Sequence, residues 1–210
     1  KMKEFAEKVK RCLTGKAEIC YAMKANPFLI KPMLEIVSSL EVCSPGEFRI
    51  CERAGIPMEK IVLSGVYKNP DDIAYMLDTY GNRGTYTVES LQHLKVLNDT
   101  AVRHGITLSV LIRVTSGNQF GIDEAEIRKI ISEREKYTGI EIEGIQFYSG
   151  TQKRNLSQMQ EELEHLDAFI RELEEIGGME IRTLEYGPGL FVPYFVKDKS
   201  MRTEELLGEF

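Results

Sequence analysis

Short apolar runs alternate along the chain with longer stretches in which apolar positions recur every three or four residues. Seven runs stand out: 17–23 (AEICYAM), 40–43 (LEVC), 61–64 (IVLS), 84–88 (GTYTV), 107–114 (TLSVLIRV), 142–148 (IEGIQFY) and 180–186 (EIRTLEY). They are short and rich in Ile, Val, Leu and Tyr, as buried parallel strands are. Helix-start signals follow several of them. Ser44-Pro45-Gly46-Glu47 has the capping-box spacing with Pro at the first helical position. Asn69-Pro70-Asp71-Asp72 places a capping Asn, a Pro and two acids at a helix N-terminus. Asp123 with Glu126, and Ser157 with Gln160, repeat the box spacing. The clearest helical face lies in 156–176, where Leu156, Met159, Leu163, Leu166, Ile170, Leu173 and Ile176 form one stripe. Such a stripe reads as core packing, and it is too short for a coiled coil.

Seven strand–helix units in alternation predict an α/β fold with a parallel sheet covered by helices. A doubly wound sheet would use the same pattern. Even spacing, and polar residues at the ends of the strands, favour a (β/α)8 barrel of the TIM type. Seven strands leave one unaccounted for, and residues 200–210 read as the helix that leads to it. The chain is therefore expected to be a single, incomplete barrel domain over residues 1–210.

Composition narrows the class. A chain of 210 residues with 42% apolar residues can bury one good-sized core. The formal charge of -6 and the absence of a basic run argue against a nucleic-acid surface. No apolar stretch approaches the ~18 residues of a membrane span. The N-terminus reads as a Lys-rich amphipathic helix without the apolar core of a signal peptide, so a cytoplasmic protein is expected. The four cysteines, Cys12, Cys20, Cys43 and Cys51, form no CxxC pair and have no His nearby. No metal site is expected from them, and Cys20 and Cys43 read as small hydrophobes in reduced form.

Barrel enzymes place their chemistry at the C-terminal ends of strands. After the first apolar run comes Lys24, followed by Ala25-Asn26-Pro27. A lysine there is costly unless it has a partner or a task. Burial would lower its pKa and expose an amine able to attack a carbonyl. The plainer reading is a lysine that snorkels to the rim, with Asn26-Pro27 as a helix cap. After the seventh run, Gly187-Pro188-Gly189 exposes backbone N–H groups where barrels commonly bind phosphate, although it is also an ordinary turn. The sixth run ends in Tyr148-Ser149-Gly150-Thr151-Gln152, which offers hydroxyls and a flat ring. Arg113 interrupts an apolar run and requires an acid or an anion; Glu41, in the second run, is a possible partner.

These stretches jointly resemble a known family, the fold-type III pyridoxal 5'-phosphate decarboxylases, which act on ornithine, arginine, diaminopimelate or carboxynorspermidine. YAMKANP (21–27) resembles that family's YAxKAN, and LEVCSPGE (40–47) resembles (D/E)VASxGE. NQFGI (118–122) resembles SKFG, GIQFYSGTQ (144–152) resembles GLHxHxGSQ, and EYGPGLFVPY (185–194) resembles DxGGGFGxPY. Five motifs occur in the family's order and spacing over the whole chain.

The resemblance implies that Lys24 holds pyridoxal phosphate as a Schiff base. It implies that Arg113 and Glu41 line the floor near the cofactor and that Tyr148 lies on the ring face. Thr151 and the backbone of Gly187 and Gly189 would hold the phosphate. The expected partners are a small amino-acid substrate and, in the full-length protein, a second copy in a homodimer. The family's EPGR strand and C-terminal β-domain would lie beyond Phe210, so this length of chain is expected to have little decarboxylase activity alone. Three departures stand out: Tyr148 and Gln146 occupy positions where the family has His, and Pro188 replaces the middle Gly of the triplet, removing a donor. They suit a divergent branch acting on an unusual or carrier-tethered amino acid. Two alternatives share the barrel and the lysine: a single-domain pyridoxal-phosphate homeostasis protein and an amino-acid racemase. In a third, the barrel is non-catalytic.

Overall fold

The computed structural model describes residues 2–193 and Phe195. The expected helix over 200–210 lies outside the described residues, as does Tyr194 of the last motif. Seven strands form one sheet in sequence order, every neighbouring pair parallel. They are β1 (Cys20–Ala22), β2 (Ser39–Val42), β3 (Ile61–Leu63), β4 (Thr85–Val88), β5 (Leu108–Val114), β6 (Ile140–Tyr148) and β7 (Thr183–Gly187). The connecting helices are α1 (Met2–Leu13), α2 (Ile30–Met33), α3 (Pro45–Arg53), α4 (Pro70–Tyr80), α5 (Leu91–His104), α6 (Glu124–Ser132) and α7 (Leu156–Gly177). All seven expected strands are present.

The sheet is curled. Gln146 on β6 donates to Ser64 Oγ, just past β3, at 3.1 Å. In a flat sheet those strands would stand about 14 Å apart, three spacings of about 4.8 Å. Cys20 on β1 and Glu185 on β7 are also near enough to affect each other's ionisation, across what would be about 29 Å, six spacings, of flat sheet. The interior that these side chains cross is polar.

The helices begin where their caps place them. Ser44 Oγ accepts from Glu47 N at 3.2 Å while Glu47 Oε2 accepts from Cys43 N at 2.7 Å, a variant of the capping box that also fixes the residue after β2. Asn69 and Asp123 cap α4 and α6 as expected. The start of α7 differs. Asn155, not Ser157, is the cap, because its Oδ1 accepts from both the N and the Oγ of Ser157. The buried face of α7 is also rotated from the expected stripe: Met159, Leu166, Phe169 and Leu173 are buried, while Ile176 is exposed. Phe169 has the larger apolar surface to bury.

The apolar core lies between sheet and helices. On β5, Ile112 and Val114 alternate with Arg113 and share a core with Ile127, Ile130 and Ile131 of α6. Burying each such side chain stabilises by about 1.5–3 kcal/mol. Arg113 therefore faces the opposite side, into the curl of the sheet. Cys51, on α3, is the fully buried cysteine, whereas Cys20 and Cys43 are half-buried among polar groups, contrary to their reading as small core hydrophobes.

Candidate active site

Of the buried polar and charged side chains, Ser64, Thr87, Glu89, Gln146 and Lys153 lie at or beyond the C-terminal ends of strands. A buried polar group costs about 1–3 kcal/mol unless it is hydrogen-bonded, so their concentration at one end of the sheet is not accounted for by packing. The outer helical face carries a cleft between α5 and α6, but its lining, including Lys95, Asp99, Lys129 and Glu133, is a set of solvated charges.

Lys24 sits on a single 3-10 turn, Met23–Ala25, directly after β1. Asn26 then caps a second turn by accepting from Phe28 N at 3.1 Å, and Pro27 fits the first position of that turn. β1 is short for this reason. Lys24 Nζ is 3.1 Å from Glu41 Oε2 and 3.5 Å from Cys43 Sγ. Its side chain is 57% exposed and Glu41's is 15% exposed. The expected buried lysine with a lowered pKa is thus corrected. Partial burial does oppose its charge, but Glu41 and Cys43 outweigh that, and the ammonium is held above its ordinary pKa. Burial, with Glu41 adding to it, raises the Cys43 thiol to about 11, so it meets Lys24 as a neutral group.

The expected Arg113–Glu41 pair does not form. Arg113 Nη1 is bonded to Glu89 Oε2 at 2.8 Å, in a pair whose side chains are 15% and 1% exposed. β5 neighbours β4, which delivers Glu89, whereas β2 lies three strands away. The guanidinium also lies 5.2 Å from the ring centroid of Phe120, in the NQFGI loop. His93 steadies the pair from α5. Its Nδ1 accepts from Glu89 N at 3.3 Å and its Nε2 faces Val66 O at 3.0 Å, which fits a neutral ring. Burial, helped by the charge of Lys68, keeps its pKa low. Glu89 was not singled out in the sequence, although an acid directly after the apolar TYTV run was a usable signal.

Lys68 was missed as well. Its Nζ donates to Gly65 O at 2.7 Å and lies 3.4 Å from Thr87 Oγ1. Burial lowers its pKa from 10.5 to about 8, with Arg113 contributing and Glu89 opposing. The unfolded chain then binds the extra proton between pH 8 and 10.5, so this residue makes stability rise with pH across that window. Lys68→Met is expected to remove the rise; urea unfolding of both proteins at several pH values across the window checks it, and an unchanged slope would contradict it.

Arg113, Gln146 and Glu185 are in register across β5, β6 and β7. Gln146 Nε2 donates to Glu185 Oε2 at 2.7 Å, while its Oε1 is buried without a partner. Burial, with the charge of Glu41, holds Glu185 above the usual carboxylate range. Tyr148 lies two residues beyond Gln146, on the same face of β6. A Cβ on Gly187 would come within 2.7 Å of the Tyr148 ring, and one on Gly189, whose φ is +60°, within 1.8 Å of Gly150 O. Both glycines are therefore required for the 187–189 turn to approach β6 and the 150–151 loop. Thr151 is exposed on that loop. Backbone bonds join the two segments: Lys153 N donates to Gly189 O at 2.9 Å and Phe191 N to Lys153 O at 3.0 Å.

Residues 1–210 match the family described as "Pyridoxal-dependent decarboxylase, pyridoxal binding domain". A diaminopimelate decarboxylase of Aquifex aeolicus is 31% identical over 207 residues, covering 90% of this chain and 49% of the relative. One from Methanocaldococcus jannaschii is 30% identical over 216 residues, covering 93% of this chain and 48% of that protein. A crystal structure of diaminopimelate decarboxylase from M. jannaschii superposes with a TM-score of 0.83 at 28% identity, over 99% of this chain and 52% of that one. The chain thus spans about half the length of the relatives it matches. Among the described residues no helix is long and apolar enough to cross a membrane.

Proposed function

The chain belongs to the pyridoxal-dependent decarboxylases, through their pyridoxal-binding domain, and from that premise we propose that its whole protein removes the α-carboxyl group of a free amino acid, with diaminopimelate the first candidate. The observation that carries this reading is the polar rim: an amine beside a carboxylate, a braced guanidinium and a glycine turn, all at the C-terminal ends of one curled sheet.

The residues fit pyridoxal 5'-phosphate. Lys24 Nζ, open to solvent on one side, suits an aldehyde. The turn at Gly187 and Gly189, packed so closely on Tyr148 and Gly150 that neither glycine has room for a Cβ, presents bare backbone beside the Thr151 loop, as a phosphate site requires. Bound there, the cofactor supplies an aldehyde and an electron-withdrawing ring that takes up the electrons left as carbon dioxide departs. The rest is the protein's part. Lys24 must lose a proton through its solvent-open side before it attacks, because Glu41 Oε2, 3.1 Å away, stabilises the ammonium. Glu41 also orients Nζ. Glu89 and Phe120 hold Arg113 rigidly at the floor, so its charge is fixed before any ligand enters. Tyr148 offers a ring face and excludes water, but it cannot supply the imidazolium charge of a His.

A cytoplasmic homodimer is part of the same proposal, in keeping with the resemblance. The family match favours decarboxylation over the racemase and homeostasis readings. Carbon dioxide release from diaminopimelate, lysine and a carrier-tethered amino acid, measured with the whole protein and pyridoxal phosphate, tests it. Release from free diaminopimelate is expected. Release from the tethered substrate alone would move the assignment to the divergent branch, and none from any amino acid would overturn decarboxylation.

A further inference from the structure

Three donors converge on one carboxylate behind the glycine turn. Glu162, on α7, accepts from Ser149 Oγ through Oε1 at 2.6 Å, and from Lys153 Nζ and Tyr186 Oη through Oε2 at 2.6 and 2.7 Å. The Lys153 ammonium also lies 5.6 Å from the Tyr186 ring centroid. The side chains of Lys153 and Glu162 are only 5% and 14% exposed. Burial alone would raise the Glu162 carboxyl, but the bonds from Lys153, Ser149 and Tyr186 hold it below the usual carboxylate range.

A buried ion pair is weak evidence for stability, since desolvation offsets most of its attraction; its attested use is to fix one arrangement among several. What this one fixes is visible in where the donors come from. Ser149 follows β6, Lys153 closes the loop that carries Gly150 and Thr151, and Tyr186 lies in β7 just before Gly187. The same loop holds Gln152 at φ +63°, a conformation that non-glycine residues seldom adopt and that persists only where the surroundings over-determine it. The anchored Lys153 is the next residue.

We propose that Glu162 is a positioning residue for the phosphate cradle: through Ser149, Lys153 and Tyr186 it sets how the Gly150–Thr151 loop faces the Gly187–Gly189 turn, and with it the preference for a phosphorylated ligand. The proposal rests on the assignment of that cradle to phosphate made above.

The test is equilibrium binding of pyridoxal 5'-phosphate and of unphosphorylated pyridoxal, followed by absorbance, to the wild-type protein and to Glu162→Gln. The wild type is expected to bind the phosphorylated ligand more tightly by well over tenfold. In Glu162→Gln that ratio is expected to fall about tenfold, equivalent to about 1.4 kcal/mol, with pyridoxal affinity unchanged. A residue that mattered only for stability would lower the unfolding midpoint and leave the ratio alone, and that result would overturn the proposal. If Glu162→Gln does not fold, Tyr186→Phe removes one donor and keeps the ring; its ratio is expected to fall about threefold, about 0.7 kcal/mol, and an unchanged ratio there overturns the proposal equally. A wild type with no preference for the phosphorylated ligand would overturn the cradle assignment itself, and this proposal with it.

Discussion

Replacing Glu89 with alanine is expected to destabilise the protein by about 3–5 kcal/mol, the usual cost of leaving one member of a buried ion pair without its partner. Glu89 is 1% exposed at its side chain and Arg113 15%, so the guanidinium would be stranded where water reaches it poorly. Phe120 and the register of β5 hold it there. The double variant Glu89→Leu/Arg113→Met is expected to recover most of the loss, because two well-packed apolar side chains replace a buried pair at little cost. Urea unfolding of the wild type, both single variants and the double variant checks this as a cycle. A loss below about 1 kcal/mol for Glu89→Ala would mean that the pair behaves as a surface ion pair. If the stable double variant binds no cofactor, the pair is present for the site rather than for the fold.

The strands were legible because each is a short apolar run closed by a turn signal, and their order follows from alternation with helices. The caps at Ser44, Asn69 and Asp123 were equally plain, since cap chemistry is local. What depends on neighbours in space was not. The partner of Arg113 is decided by which strand lies beside β5, and the run pattern led to Glu41 and passed over Glu89. The rotation of α7 toward Phe169 depends on how the helix sits on the sheet, which a stripe of Leu and Ile cannot specify. The Lys153–Glu162 pair joins a loop to a helix nine residues on, and in sequence both look like ordinary surface charges. Lys24 was legible as the lysine that ends the first apolar run, and the YAMKANP resemblance gave it a role, yet its environment was misjudged: Glu41 and the open rim keep it charged, while the amine with the depressed pKa is Lys68.

That contrast is what makes Lys24→Ala decisive. On burial alone, Lys68, with a pKa of about 8, is the better nucleophile. On access, Lys24 is better placed: its side chain is 57% exposed, whereas Lys68 Nζ is held at 2.7 Å by Gly65 O. Access decides in favour of Lys24, because an aldehyde on a ring as large as pyridoxal must reach the amine before either pKa matters. Lys24→Ala is therefore expected to abolish covalent attachment, whereas Lys68→Met is expected to retain it. The direct measurement is to add pyridoxal 5'-phosphate to the protein, reduce with borohydride and map the modified peptide. A pyridoxyl group on Lys24, absent from Lys24→Ala, is the expected result; an adduct on Lys68, or one that survives in Lys24→Ala, would contradict the assignment.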